Sequence, residues 1–167
     1  MLIKMGIKEI SILSTNPRYY AFLLQNFLSG YDKPCEAKLL FMALPILLYS
    51  ESREKLVNAN SRSKIESLFS SPQSINDNKI TGKTRLSGYL ERYNALLVDC
   101  KKAIIILSSA NKIAIKNKNI LVLQKLQYSD YRGKIKDWSK AAYYLGLVFA
   151  KADEDHLFYF LGVDKHE

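Results

Sequence analysis

Apolar and polar positions first settle into a helical rhythm just after residue 16. Asn16-Pro17 is a helix start, because Asn caps free backbone N–H groups and Pro suits the first turn. Tyr20, Leu23, Leu24, Phe27 and Leu28 follow on one stripe with a 3.6-residue period, and Gly30 is predicted to stop the helix. Upstream, Ile7, Ile10, Ile12 and Leu13 predict a short strand or an arm that docks on a neighbour. Lys33-Pro34 opens a second helix predicted to reach Tyr49, apolar on nearly all sides through Leu39, Leu40, Phe41, Leu44, Ile46, Leu47 and Leu48. Such a helix belongs at the centre of a core. Pro45 within it removes one backbone hydrogen bond and is expected to kink it.

Beyond a further turn over Glu51 to Leu56, the polar run Asn58 to Ser61 marks a break. Lys64 to Ser70 reads as a short helix with Ile65, Leu68 and Phe69 inward, and residues 71–80 read as an internal loop. Leu86, Tyr89, Leu90, Tyr93, Leu96, Leu97 and Cys100 restore helical spacing over Thr84 to Leu107. Residues 112–123 predict a β-hairpin turning on the polar run Lys116 to Asn119. Ser129 to Asp137 then reads as a basic connection, Trp138 to Ala150 as a helix, and His156 to Leu161 as a last helix ended by Gly162. The expectation is one domain over residues 1–167, mainly α with a small β-hairpin. Its element order is that of a winged-helix-like arrangement.

Composition sharpens this picture. A hydrophobic fraction of 48% and a charged fraction of 25% suit a globular core, and 7 Gly with 4 Pro leave few helix stops. The longest apolar run, Leu39 to Tyr49, is 11 residues, against about 20 for a membrane span. The opening Met1 to Gly6 lacks the pattern of a secretory signal, and two distant cysteines without a CxxC suggest a reducing compartment. A cytoplasmic protein without membrane contact is the expectation. The net charge of +9 is uneven: residues 101–140 carry 10 basic and 2 acidic side chains, whereas residues 141–167 carry 2 and 5. That asymmetry predicts an oriented surface for nucleic acid or an acidic protein face.

Candidate chemistry is sparse. Gly82-Lys83-Thr84 has the ending of a phosphate-binding loop, but position 77 is Asp where that loop needs its first Gly, and no strand precedes it. It reads as a helix start. His156 lies beside Asp153, Glu154 and Asp155, which are better explained by the helix dipole than by a metal. Cys35 and Cys100 lack a nearby His and read as packing residues. No triad or paired-carboxylate arrangement can be assembled, so no catalytic residue, metal or cofactor is predicted.

The basic stretch is different. Lys112, Lys116, Lys118, Lys125, Arg132, Lys134, Lys136 and Lys140 are interleaved with Tyr128, Tyr131 and Trp138. Cations neutralise phosphates and aromatic rings stack on bases, and the same set suits an acidic protein segment. A lysine-rich sheet edge that resists aggregation is the third reading.

Three blocks carry a resemblance. These are Asn16-Pro17; Leu39 to Leu48 followed by Arg53 and Leu56; and Lys140-Ala-Ala-Tyr-Tyr-Leu-Gly146 followed by Leu161-Gly-Val163. Together they resemble the middle component of three-component ABC systems. Where that family commonly has Arg shortly after the Leu-Gly, this chain has Leu147-Val148. The resemblance implies a non-catalytic accessory subunit that docks on an SMC-like ABC ATPase and helps hold an effector, often a nuclease, as in Lamassu-type antiphage and antiplasmid defence. DNA would be met directly or through the complex. The alternative is a free-standing winged-helix DNA-binding regulator. Its recognition helix would precede the hairpin, yet Lys101-Lys102 is followed there by Ile104-Ile-Ile-Leu107, too apolar for a groove.

Overall fold

The computed structural model describes residues 16–69, 86 and 88–166. The expected arm over residues 1–15, the loop at 71–80 and Gly82-Lys83-Thr84 lie outside the described residues. Helix α1, Pro17–Tyr31, begins as expected: the Asn16 side chain accepts from Arg18 N–H at 2.9 Å and Pro17 occupies the first turn. Gly30 does not stop it. The helix runs one residue further and is capped by Asp32 in the left-handed region at φ 53°.

Lys33-Pro34 leads not into a helix but into a two-residue strand β1, Cys35–Glu36, and only then into α2, Ala37–Leu47. Leu39, Leu40, Met42, Ala43, Leu44, Ile46 and Leu47 are all fully buried, so α2 is the central helix its composition predicts. It continues through Pro45 and ends two residues later. Side chains from two other elements take up carbonyls near that end. Arg53 Nη1 donates to Leu47 O at 2.9 Å, Arg92 Nε donates to Pro45 O at 3.2 Å, and the buried Tyr89 hydroxyl donates to Met42 O at 2.7 Å. The last four carbonyls of a helix lack intrahelical partners, and here neighbours supply them for Pro45 and Leu47.

Helices α3, Ser50–Val57, and α4, Ile65–Phe69, follow close to their predicted places. The long α5, Tyr89–Ser109, leads into β2, Ile113–Lys116, and β3, Asn119–Val122. The hairpin turns on two residues rather than four, because Lys116 pairs with Asn119 across Asn117-Lys118. Sequence reasoning missed a third strand: β1 pairs antiparallel with β3, Cys35 opposite Ile120, and the sheet order is β1-β3-β2. A 3-10 turn, Tyr128–Asp130, precedes α6, Gly133–Lys151, and the last helix α7, Glu154–Leu161, is capped by Gly162 in the left-handed region at φ 70°. The result is a mainly helical fold with a small antiparallel sheet. Among the described residues no helix is long and apolar enough to cross a membrane.

Helices α1 and α6 form the most extensive helix pair, and two glycines set their separation. A Cβ on Gly30 would collide with the Tyr143 carbonyl of α6, and one on Gly146 would collide with the Phe27 carbonyl of α1. The two backbones therefore approach at two points along the pair. Along the same seam Phe27 meets Phe149 edge-on at 5.4 Å, and Ser139 Oγ donates to Asn26 Oδ1 at 2.5 Å. Gly146→Ala is expected to cost more than the roughly 1–3 kcal/mol typical of overpacking, since rigid backbone rather than a side chain must move. Leu44→Ala should cost about 2–5 kcal/mol through its cavity. Urea unfolding of the two variants checks both, and an unchanged midpoint for either would mean that its contact does not limit stability.

Candidate interaction surface

The predicted cations divide into two groups joined by an extended stretch. Lys112, Lys116 and Lys118 sit on the hairpin, while Arg132, Lys134 and Lys136 sit at the start of α6. The connection is tied to α1 by buried polar groups. Gln25 Nε2 donates to Gln124 O at 2.8 Å, and Leu126 N–H donates to Ser29 Oγ at 2.9 Å. Further on, Tyr131 packs edge-on against Phe22 at 5.2 Å and Trp138 against Tyr19 at 5.5 Å. The two groups thus lie toward opposite ends of α1, a helix about 22 Å long at 1.5 Å per residue.

Between them, Lys125 is ion-paired with Asp32 at the cap of α1, with both side chains more than half exposed. The segment Lys134 to Asp137 forms the first turns of α6, where a connection was expected, and Trp138 lies within the helix instead of opening it. Its ring is half-buried and covered by the Arg53 guanidinium at 3.6 Å. Tyr128 shares a hydrogen bond with Tyr144 at 3.2 Å. Trp138, Tyr128 and Tyr131 are therefore engaged within the fold, Trp138 with one face under Arg53 and the two tyrosines through edge-on or tilted ring contacts.

The hairpin group borders an open groove of about 740 Å³. Leu90, Leu97 and Ile104 of α5 form one wall, Ile115 and Ile120 of the sheet another, and the chain from Gly162 to Asp164 a third. Lys101 and Lys118 stand at its rim. From 101 to 118 the sequence holds five lysines and no acid, and among the described residues none of these lysines forms an ion pair. Ile115 on the edge strand is 53% exposed. Sequence reasoning found the lysines but not the groove, because its walls come from three segments spread between Leu90 and Asp164.

Several polar side chains elsewhere are engaged within the fold. His156 contacts Glu66 at 2.6 Å, Asp153 accepts from Asp155 N–H, and Asp155 is paired with Lys165 at 2.5 Å. Both cysteines are buried and free. Burial raises the Cys35 thiol well above its ordinary range, reinforced by Glu154 and Glu36, and pushes the Cys100 thiol up to about 12.

These elements define a mainly helical domain built on a three-stranded antiparallel sheet, with a lysine-lined hairpin beside an apolar groove. Over residues 6–165 the chain matches the family model described as ABC-three component (ABC-3C) system Middle Component 3, and it belongs to that family. It is a middle component of a three-component ABC system. No curated protein and no solved structure matches the chain.

Two predictions follow from the local chemistry. Asn117 and Lys118 have φ of 49° and 67°, the backbone of a two-residue turn that favours Gly at the second position. Lys118→Gly should therefore stabilise the chain by about 1 kcal/mol, seen as a higher urea midpoint; a lower midpoint would show that the lysine side chain holds the turn. The thiols give a pH signature. Both keep their protons to higher pH in the fold, so their contribution is complete below the ordinary thiol value of 9.0 and declines as pH rises toward about 12. The buried Tyr20 and the half-buried Tyr93, raised in the same way, add to the decline. Urea unfolding at about pH 8 and about pH 10.5 should show the lower midpoint at the higher pH.

Proposed function

We propose that this chain is a non-catalytic accessory subunit of a bacterial SMC-like ABC ATPase complex of the Lamassu type, active in antiphage and antiplasmid defence. In this reading it docks on the ATPase and helps hold or regulate an effector, often a nuclease. The family match over residues 6–165 carries the proposal.

Surface chemistry supports docking to protein over insertion into a DNA groove. A free-standing winged-helix regulator would use the helix before the hairpin for recognition, which here is α5. Its outer face exposes Val98 at 62% and Ile105 at 63%, seven residues and two turns apart. Apolar side chains at that spacing suit a protein seat and gain little from a phosphate-lined groove.

Two measurements test the proposal. The isolated chain should show no ATP hydrolysis and no metal-dependent DNA cleavage; cleavage lost on mutation of its own acids would end the non-catalytic reading. Charge reversal then separates the partners. Lys116 and Lys118 to Glu alters the hairpin end, and Lys134 and Lys136 to Glu alters the α6 end. Each surface pair contributes only about 0–1 kcal/mol, so paired changes are needed for a visible effect. The hairpin variant should fail to co-purify with the ATPase at moderate salt, before DNA is added. Normal assembly with a flattened salt dependence of DNA binding would instead mean phosphate contacts, about one released counterion per contact. Normal behaviour in both assays would leave the lysines a role in solubility alone.

A further inference from the structure

In the β1-β3-β2 sheet, β2 is an edge strand. The two-residue turn makes Lys116 and Asn119 its hydrogen-bonded closing pair, and antiparallel pairs alternate from there. Ile115 opposite Ile120 and Ile113 opposite Val122 are then the non-bonded pairs, so the backbone N–H and C=O groups of both isoleucines point away from β3, toward the free edge. Side chains alternate as well. Ile113 and Ile115 share the face that carries the groove. Lys116 and, just before the strand, Lys112 share the other.

We propose that the edge of β2 receives an extended segment of a partner protein in which apolar residues alternate with Asp or Glu, the apolar ones entering the groove and the acidic ones meeting Lys112 and Lys116. This rests on the docking reading and gives it a mode, strand addition, in which main-chain hydrogen bonds supply affinity and alternate side chains supply specificity. Charge selects this occupant over two others. A second copy of β2 would set the same lysines against each other, and like charges across a strand pair are destabilising. The chain's own residues 1–15 carry Lys4 and Lys8 against the single acid Glu9, so they match a cationic edge poorly. An acidic, alternating segment relieves the charge of residues 101–118 and covers Ile115 together.

The test is amide hydrogen exchange on the full chain, titrated with a synthetic nonapeptide that alternates Val and Asp. Exchange at Ile113 and Ile115 should slow at least tenfold, while Ala114, already paired within the hairpin, changes little. A peptide alternating Val and Lys should have no effect. Ile115→Pro, which removes one edge donor and is tolerated on an edge strand, should abolish the protection. So should Lys112→Glu combined with Lys116→Glu, a surface change that leaves the core intact. Equal protection by both peptides, or protection outside the hairpin, overturns the proposal. Protection already present in the isolated chain overturns it too. Loss on deleting residues 1–15 would then name the arm as occupant, and loss on dilution a second copy. Because the probe is a peptide, the result is independent of co-purification: an ATPase that assembles normally on an edge that does not bind the peptide leaves the docking reading standing and this inference fallen.

Discussion

The rest of the structure depends on how closely α1 and α6 approach. Gly30 and Gly146 each leave room for a carbonyl of the opposite helix, so the seam is fixed by backbone against backbone rather than by side chains that can repack. That closeness places Phe27 on Phe149 and brings Asn26 within reach of Ser139. It also fixes the polar face of α1. Gln25 and Ser29 are then positioned to hold the stretch leaving the hairpin, and with it the hairpin's placement against α5. The cationic edge and the groove are therefore consequences of a packing decision made some distance away.

Parts of this were legible in the sequence because their causes are local. The Asn16-Pro17 start, the all-apolar stripe of α2 and the alternation of Ile113 and Ile115 each follow from backbone chemistry within a few residues. The misses share the opposite property. Gly30 reads as a helix stop unless the carbonyl of Tyr143 is known to lie beside it. Strand β1 is two residues long and follows a proline, so only its partner Ile120, far along the chain, makes it a strand. The start of α6 was hidden by chemistry that argues against a helix: Gly133 at φ 63°, no side-chain cap and no acid in the first turn. Packing of Trp138 under Arg53 and against Tyr19 overrides those local signals.

The same division holds for the surface. Lysine clustering over residues 101–140 is visible by counting, whereas the engagement of each aromatic neighbour is not. Tyr128, Tyr131 and Trp138 pattern like a stacking platform, yet each finds a ring partner inside the fold. On the hairpin and α5 what remains outward is cationic and aliphatic, with Ile115, Val98 and Ile105 well exposed. That combination resembles the rim and centre of a protein seat more than a base-reading surface.

Lys118 stands where folding and recognition pull in different directions. Its left-handed backbone favours glycine, and its side chain stands at the mouth of the groove. Under selection for foldability alone, such a site drifts toward glycine, because glycine adopts that backbone without the strain. A lineage that loses its partner is thereby expected to lose this lysine early, ahead of any change in the buried helices. Position 118 then works as a marker of continued partnership, readable across descendants of this chain without any binding measurement.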